Sequence, residues 1–182
     1  MDADYQRELE VFLQQIRSGA LKYAACRCRD EDAALDILQD TMIGFVDSAA
    51  GFPQSAWKNL FYKILQRRIS DRYRKQQWRQ RLARMFSLSS RDDEGEAQYE
   101  PAQPEHGEHH YEAAELQQAF DEAVSALPER QQQAYLLRQW QQLSVRQVAD
   151  IMQCSEGSVK THLSRAMSNL KQALGEWIDE QN

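Results

Sequence analysis

The sequence predicts an all-α protein that consists of two small helical domains joined by a flexible acidic linker. Apolar residues recur at helical spacing in both halves of the chain, and no alternating pattern typical of a strand extends over a useful length. Between these halves, residues 85–112 contain two prolines, two glycines and few apolar side chains, a composition typical of a flexible, self-repelling linker. We therefore predict a first domain over residues 1–84 and a second over residues 113–182.

Three amphipathic stripes predict three helices in the first domain. The stripes consist of Phe12, Leu13, Ile16, Ala20 and Ala24, then Leu35, Leu38, Met42, Phe45 and Val46, and then Trp57, Leu60, Phe61, Ile64, Leu65 and Ile69. Three such helices can bury their apolar faces only against one another. The pattern therefore predicts a small bundle with these residues in its core.

The second domain carries clear helix start signals. Pro128 suits a helix start because its missing N–H is not needed there. Ser144 and Gln147 have the spacing of a capping box, and Ser155 is placed to cap a last, long helix. Two apolar faces follow these caps, namely Val145, Val148, Ala149, Ile151 and Met152, and then Val159, Leu163, Ala166 and Leu170. Two helices joined by so short a break predict a helix-turn-helix.

The second helix of a helix-turn-helix lies in the DNA major groove and presents its outward residues to the base edges. Here the outward residues are Ser158, Lys160, Thr161, Ser164 and Arg165. Basic side chains suit guanine or phosphate, and hydroxyls suit either, so this face favours DNA binding. An ordinary helical hairpin with a polar outer face is the alternative interpretation.

The charge of the chain is sorted along its length. The 182 residues carry a formal net charge of −6. Residues 1–56 carry −5, residues 57–91 carry +10, residues 92–122 carry −11, and residues 123–182 are neutral overall. Such asymmetry indicates nucleic-acid binding by the basic segment, with an acidic segment elsewhere in the chain.

Aromatic rings lie among the positive charges of the basic segment. One helical face is predicted to carry Lys63, Arg67, Ser70 and Arg74, and the interleaved rings are Tyr62, Tyr73 and Trp78. Single-stranded or melted nucleic acid is bound in this way, because the charges follow the backbone while the rings stack on exposed bases. A solvated helix face with half-buried rings is the alternative.

Other function classes lack support in the residues. No run of about 18 apolar residues is present, and the acidic N-terminus argues against a secretory signal peptide. Three cysteines suit a reducing cytosol. No Gly-rich phosphate loop, nucleophile elbow or catalytic carboxylate pair is visible, so we predict neither an enzyme nor a cofactor. Residues 106–110 contain three histidines but stand alone in the linker, so we predict no metal site.

Four motifs in a fixed order resemble a known family. They are a D-x-x-Q-[ED] pattern at 36–40, the segment 60–64 with Asp71, the Leu-Pro-Glu-Arg start at 127–130, and the helix-turn-helix at 144–170. With them the chain resembles the bacterial RNA polymerase sigma factors of the extracytoplasmic-function group. The resemblance implies a cytoplasmic protein that directs core RNA polymerase to promoters and helps to open the DNA. It also implies an anti-sigma factor as a further partner.

The resemblance assigns roles to individual positions. Core polymerase binding falls on Asp36, Gln39 and Asp40, which are expected to face the clamp helices of the largest subunit. Recognition and melting of the −10 element fall on Phe52, Lys58, Tyr62, Lys63, Arg67 and Arg74, with the loop at 48–55 capturing a flipped base. Duplex −35 recognition falls on Ser158, Lys160, Thr161, Ser164 and Arg165.

Three positions depart from the family pattern. Arg67 stands where many members have Asn, and Arg68 stands where many have an apolar residue. Arg68 lies inside the apolar stripe, so we expect it to snorkel or to bend the helix. His162 replaces a commoner basic residue.

Two other function classes stay open at this point, namely a stand-alone helix-turn-helix regulator and a helical interaction module that does not bind DNA.

Overall fold

The computed structural model describes residues 3–86 and 108–181, with side chains described over 3–83 and 114–175. Within these ranges the chain is helical and forms no strand, as the all-α prediction requires. The helices are α1 (Ala3–Cys28), α2 (Glu31–Ala49), α3 (Gln54–Phe86), α4 (Glu108–Ala126), α5 (Glu129–Tyr135), α6 (Val145–Met152) and α7 (Glu156–Gln181), with a π-helical turn at Leu136–Trp140. Most of the predicted linker, at 87–107, lies outside the described residues.

The first three helices pack on one another and form the N-terminal unit. Asp30 caps α2 by accepting a 2.9 Å hydrogen bond from the Ala33 N–H. The centre of the unit is aromatic, because Phe12, Phe45, Trp57 and Phe61 contact one another at ring centroid distances of 5.1–6.2 Å. Most residues of the three predicted stripes are buried or half-buried. The prediction was wrong for Val46, which is exposed because the buried face of α2 is narrower than the stripe.

The last helix of this unit is much longer than the core it covers. In α3, Ile69 is the last fully buried residue, and nearly all side chains from 74 to 83 are exposed. We call residues 74–83 the basic arm, because it carries four basic side chains and no acidic one. Lys75 and Arg79 lie one helical turn apart in the basic arm. Their mutual repulsion disfavours the helix there, because like charges at this spacing destabilise an isolated helix.

The remaining helices form the C-terminal unit, which contains the predicted helix-turn-helix. Pro128 precedes α5 as its N-cap residue. The Ser144–Gln147 capping box is present, with reciprocal hydrogen bonds of 2.9 and 3.2 Å at the start of α6. Gln153 adopts the left-handed conformation, with φ of 52°, and ends α6. The hydroxyl of Ser155 then accepts from the Ser158 N–H and caps α7 as predicted.

The two units pack directly against each other. Residues of α1 and α3 contact α5, α6 and Gln141, which directly follows the π-helical turn of the C-terminal unit. Buried polar residues concentrate at this inter-unit interface, namely Arg27, Gln132, Gln133 and Gln141. This contact brings residues far apart in the sequence together, and no local pattern predicts it.

Candidate nucleic-acid interfaces

The first half of α7 presents the predicted duplex-reading residues on one exposed face. Lys160, Thr161, Ser164 and Arg165 are exposed, whereas Ser158 is half-buried. The opposite face of α7 packs into the core, where Val159 and Ala166 are fully buried. The helix is thus rotated so that two cations and the hydroxyls of Thr161 and Ser164 face outward together, with Ser158 half-buried beside them. A recognition helix needs side chains of this chemistry.

Hydrogen bonds at the start of α7 hold the hydroxyls in place. Ser155 and Ser158 join their hydroxyl oxygens at 2.9 Å, and Thr161 donates to the Gly157 carbonyl over 3.0 Å. Each hydroxyl retains acceptor capacity after these bonds. His162 is half-buried on the flank of this surface. Hydrogen bonds within the protein therefore hold the side chains at the start of α7 in the absence of DNA.

The exposed face of α2 carries the predicted polymerase-binding residues. Asp36, Gln39 and Asp40 are all exposed. Ile43 continues the same face at the next helical step and is 64% exposed. Ile43 was not predicted from the sequence, although it stands in an i, i+3, i+4, i+7 series with the three polar residues, and this spacing is a signal that the face continues.

Arg68 connects the polymerase-binding face to α3. Its Nη1 lies 3.7 Å from Oδ2 of Asp40, and its side chain is 43% exposed. The stem crosses close to Gly44, where an added Cβ would lie 3.1 Å from Nη2. Arg68 therefore snorkels out of the apolar stripe, as expected, and orients one of the carboxylates beside it.

The loop between α2 and α3 presents an aromatic ring to solvent. The Phe52 side chain is 49% exposed. Its backbone is fastened at both polar groups, because its N–H donates to the Ala49 carbonyl at 3.0 Å and its carbonyl accepts from Trp57 Nε1 at 3.1 Å. Trp57 is buried, so the loop is anchored to the core while its ring stays available.

The basic face of α3 is only partly accessible. Arg67 and Arg74 are exposed and Lys58 is half-buried. Arg74 also pairs with Asp71 one turn earlier. Tyr62, in contrast, is fully buried, and its hydroxyl donates to Oε1 of Gln141 over 2.5 Å. Burial raises the pKa of Tyr62.

Lys63 is held by the C-terminal unit. Its Nζ lies 2.8 Å from Oδ1 of Asp150, and Asn59 Nδ2 donates to the other oxygen of the same carboxylate at 2.9 Å. The hydrogen bonds from Lys63 and Asn59 lower the pKa of Asp150 below its usual value of 3.8. Lys63 and Tyr62 were both predicted to contact DNA. In this arrangement they bind Asp150 and Gln141 of the C-terminal unit instead.

The three aromatic rings of the basic segment differ in their exposure to solvent. Tyr62 is buried, and Tyr73 is half-buried and donates from its hydroxyl to the Arg27 carbonyl. Trp78 is 64% exposed on the basic arm. Of these three rings, Trp78 is therefore the one with an open face, surrounded by the cations of the arm.

Arg27, near the end of α1, binds residues of the C-terminal unit at the inter-unit interface. This residue is 3% exposed. Its Nη2 lies 2.8 Å from Oε1 of Glu129, and its Nη1 donates to the Gln132 side chain at 3.0 Å and to the Glu129 carbonyl at 3.2 Å. Nearby, the Cys26 thiol accepts a 3.6 Å hydrogen bond from Gln132, and burial raises the pKa of this thiol. This contact was not predicted, because in the sequence Arg27 looks like an ordinary basic residue in the last turn of a helix.

The described residues contain no group of three or more His, Cys, Asp or Glu that could hold a metal. Of the histidines at 106–110, His106 and the side chains of the other two lie outside the residues described. None of the helices in the described ranges is long and apolar enough to cross a membrane.

Comparisons with known proteins match both units. The family described as Sigma-70 region 2 matches residues 9–79, and the family described as Sigma-70, region 4 matches residues 117–170. A protein of Haemophilus influenzae named "Probable RNA polymerase sigma factor" is 26% identical over 179 residues, which cover 91% of this chain and 89% of that protein.

Two solved structures share the fold. One is the sigma factor RpoE in complex with the anti-sigma factor NepR from Bartonella quintana, at a TM-score of 0.66 and 24% identity, covering 96% of this chain and 98% of that chain. The other is CnrH in complex with the cytosolic domain of CnrY, at a TM-score of 0.61 and 18% identity, covering 94% of this chain and 90% of that chain.

Proposed function

The chain is an RNA polymerase sigma factor of the extracytoplasmic-function group, and we propose that it divides promoter recognition between the surfaces described above. It directs core RNA polymerase to promoters and assists DNA opening, while the polymerase carries out RNA synthesis. The observation that carries the proposal is the exposed face of α7, whose Lys160, Thr161 and Arg165 lie on a helix-turn-helix joined in one chain to a region 2 unit. In the proposal, residues 1–84 and 113–182 act as two domains.

Core polymerase binds the exposed face of α2 in this proposal. Asp36, Gln39 and Asp40 supply acceptors for a polar or basic partner surface, and Ile43 supplies apolar area beside them. Interfaces gain most of their affinity from a few apolar or aromatic anchors surrounded by polar contacts. Ile43 fits that description because two thirds of its side chain is exposed in the free chain.

The −10 element engages the N-terminal unit. The ring of Phe52 is anchored at its backbone and open at its side chain, which suits contact with a base flipped out of the stack. Arg67 and Arg74 offer cations along α3 for the backbone of the melted strand. Lys58 extends this surface towards the loop, and Lys63 and Tyr62 join it when the C-terminal unit moves away.

The −35 element engages α7 as duplex DNA. Lys160 and Arg165 offer donors to guanine or phosphate, and the hydroxyls of Ser158, Thr161 and Ser164 offer adaptable donors and acceptors. Since the C-terminal segment from 123 onward is neutral overall, these two cations and the polymerase that holds the domain must supply the attraction. We also propose an anti-sigma factor as a partner, as in the RpoE complex to which this chain is similar.

Co-elution with purified core polymerase and factor-dependent transcription test this function. We expect the chain to bind core polymerase and to start transcripts at discrete sites. Ile43→Ala should weaken core binding by about three- to tenfold without loss of stability, since a solvent-facing side chain contributes little to folding. Val11→Ala, on an exposed face of α1, is the matched control. Failure of both core binding and transcription would favour a stand-alone regulator instead.

A further inference from the structure

We propose that the polymerase-binding surface does not end on α2 but crosses to α3, where the Arg68 guanidinium forms part of it. The inference rests on the proposed function, which places core polymerase on the exposed face of α2. It adds a cation to a surface whose assigned charges are all negative. The partner surface must then carry an acidic group opposite Arg68, next to the basic groups that meet the aspartates of α2.

The guanidinium of Arg68 lies at the edge of the face that carries the polymerase-binding residues. Its Nη1 is 3.7 Å from Oδ2 of Asp40. Asp40 and Ile43 are neighbours on the exposed side of α2. The cation therefore comes from a different helix but lies beside the same surface, so a partner that covers Asp40 is also within reach of Arg68.

Gly44 opens the path that brings Arg68 to this surface. A Cβ on Gly44 would lie 3.1 Å from Nη2 of Arg68 and 3.9 Å from Cγ2 of Ile64, so both side chains of α3 lie close over the α2 backbone. A side chain at position 44 would push the guanidinium away from α2, one helical turn after Asp40. Glycine within a helix is unfavourable relative to alanine, and this close approach is what the missing side chain allows.

The head group of Arg68 is available to a partner. Its side chain is 43% exposed and lies 3.7 Å from the Asp40 carboxylate. This ion pair is long, since Arg72, one turn later on α3, pairs with Asp30 at 3.0 Å. A guanidinium has five N–H donors, so one loose ion pair leaves donors for other acceptors. A carboxylate of the partner can accept two parallel N–H bonds from it, the geometry that suits arginine best.

The position of Arg68 on α3 does not favour folding. It falls in the apolar stripe of this helix, between the fully buried Leu65 and Ile69. An apolar side chain there would add to the core, whereas an arginine must lead its charge out to water. Its route ends at the polymerase-binding face, beside Asp40. A contact with the polymerase therefore explains this arginine better than a role in stability does.

A double-mutant cycle distinguishes direct contact from positioning. If Arg68 only holds the Asp40 carboxylate in place, Arg68→Met has no further effect once Asp40→Asn has been made. If the guanidinium contacts the polymerase, most of the loss remains in that background. Methionine retains an apolar stem over α3, so the fold should persist.

The affinity is measured by equilibrium titration of the labelled full chain with core polymerase. We expect Arg68→Met to weaken binding by about three- to tenfold, the size expected for one charged contact at an interface, and to keep most of this loss beside Asp40→Asn. Arg72→Met is the matched control, because it also removes an exposed, ion-paired arginine of α3, whose partner Asp30 precedes α2. It should leave core binding unchanged.

Gly44→Ala tests the same contact without removing a charge. It fills the path of Arg68, so it should also weaken core binding. Gly175→Ala is its control, because a Cβ added to that glycine of α7 meets nothing within 4 Å. Circular dichroism and urea denaturation check that each variant is folded.

The outcomes distinguish the inference from the proposed function. Weaker core binding by Arg68→Met, with unchanged affinity of the free chain for a single-stranded oligonucleotide, supports the contact. Unchanged or tighter core binding by folded Arg68→Met, or a loss that disappears beside Asp40→Asn, overturns it even if the wild-type chain binds core polymerase normally. A wild-type chain that does not bind core polymerase would overturn the proposed function, and the inference with it.

Discussion

Lys63 Nζ lies 2.8 Å from Oδ1 of Asp150, so a lysine of the region 2 unit is paired with a carboxylate of the helix-turn-helix. The two residues are 87 positions apart in the chain. Both side chains are close to half exposed, which limits the pair to a modest contribution and leaves it open to competition by other ions. In the proposed function the same lysine binds a phosphate of the promoter, so this phosphate would compete with the Asp150 carboxylate for Lys63.

The titration of Asp150 tests this pairing. Because its pKa is lowered in the folded chain, the contribution of the Asp150 carboxylate to the contact between the two units is present above the usual value of 3.8. This contribution is lost as the pH falls through the lowered value. Carboxyl NMR should show Asp150 titrating below 3.8, and Lys63→Met should move its pKa upward. Lys171→Met, at an exposed site in α7, should leave it unchanged. Titration of wild-type Asp150 at its usual value would contradict the pairing.

Trp78 is predicted to contact single-stranded DNA. Its ring is exposed among the cations of the basic arm, and one stacked base contributes about 1–3 kcal/mol. Trp78→Ala should therefore reduce the affinity for a single-stranded oligonucleotide by about tenfold, measured by fluorescence anisotropy. Trp78→Phe should retain most of the affinity, and Gln77→Ala, the exposed neighbour, should retain all of it. An equal loss in the Phe and Ala variants would argue against stacking.

Lys160 and Arg165 are predicted to read the −35 element. Alanine at either position should cost about 1–3 kcal/mol if the side chain contacts a base, with relaxed sequence preference, or should reduce the salt slope by about one if it contacts a phosphate. Transcription from templates with altered −35 sequences, over a range of salt, distinguishes the two. Lys171→Ala lies farther along α7 and serves as control. Core binding should persist in all three variants.

The capping box at the start of α6 is predicted to stabilise the helix-turn-helix. Ser144→Ala removes the 3.2 Å bond to the Gln147 N–H and should lower the free energy of unfolding by about 1 kcal/mol. Urea denaturation followed by circular dichroism measures this change. Ser168→Ala, an exposed serine within α7, should change stability by less than about 0.5 kcal/mol. Equal stability of the two variants would show that the cap contributes nothing.

The sequence was most informative where the signal is local. The caps at Ser144 and Ser155 lie where the residue pattern predicted them, because each depends on residues three positions apart. Helical periodicity also identified most of the core. It failed at Val46, since periodicity gives the direction of a face but not how much of it a neighbour covers.

The sequence was least informative about contacts between the units. The spacing of Tyr62 and Lys63 fits a DNA-binding face and an inter-unit face equally well, and only the packed arrangement shows Gln141 and Asp150 opposite them. Arg27 carries no local sign of burial, because its acceptors lie more than 100 residues later in the chain. Pairings of this kind depend on tertiary geometry, which composition and periodicity do not encode.

The most direct test of the central claim is transcription by purified core polymerase on a library of randomised promoters, with and without this chain. We predict that the chain selects templates sharing two conserved elements separated by about two helical turns, and that Lys160→Ala or Arg165→Ala relaxes the upstream element alone. Transcription that is independent of the added chain, or selected templates with no common −10 and −35 elements, would contradict the account.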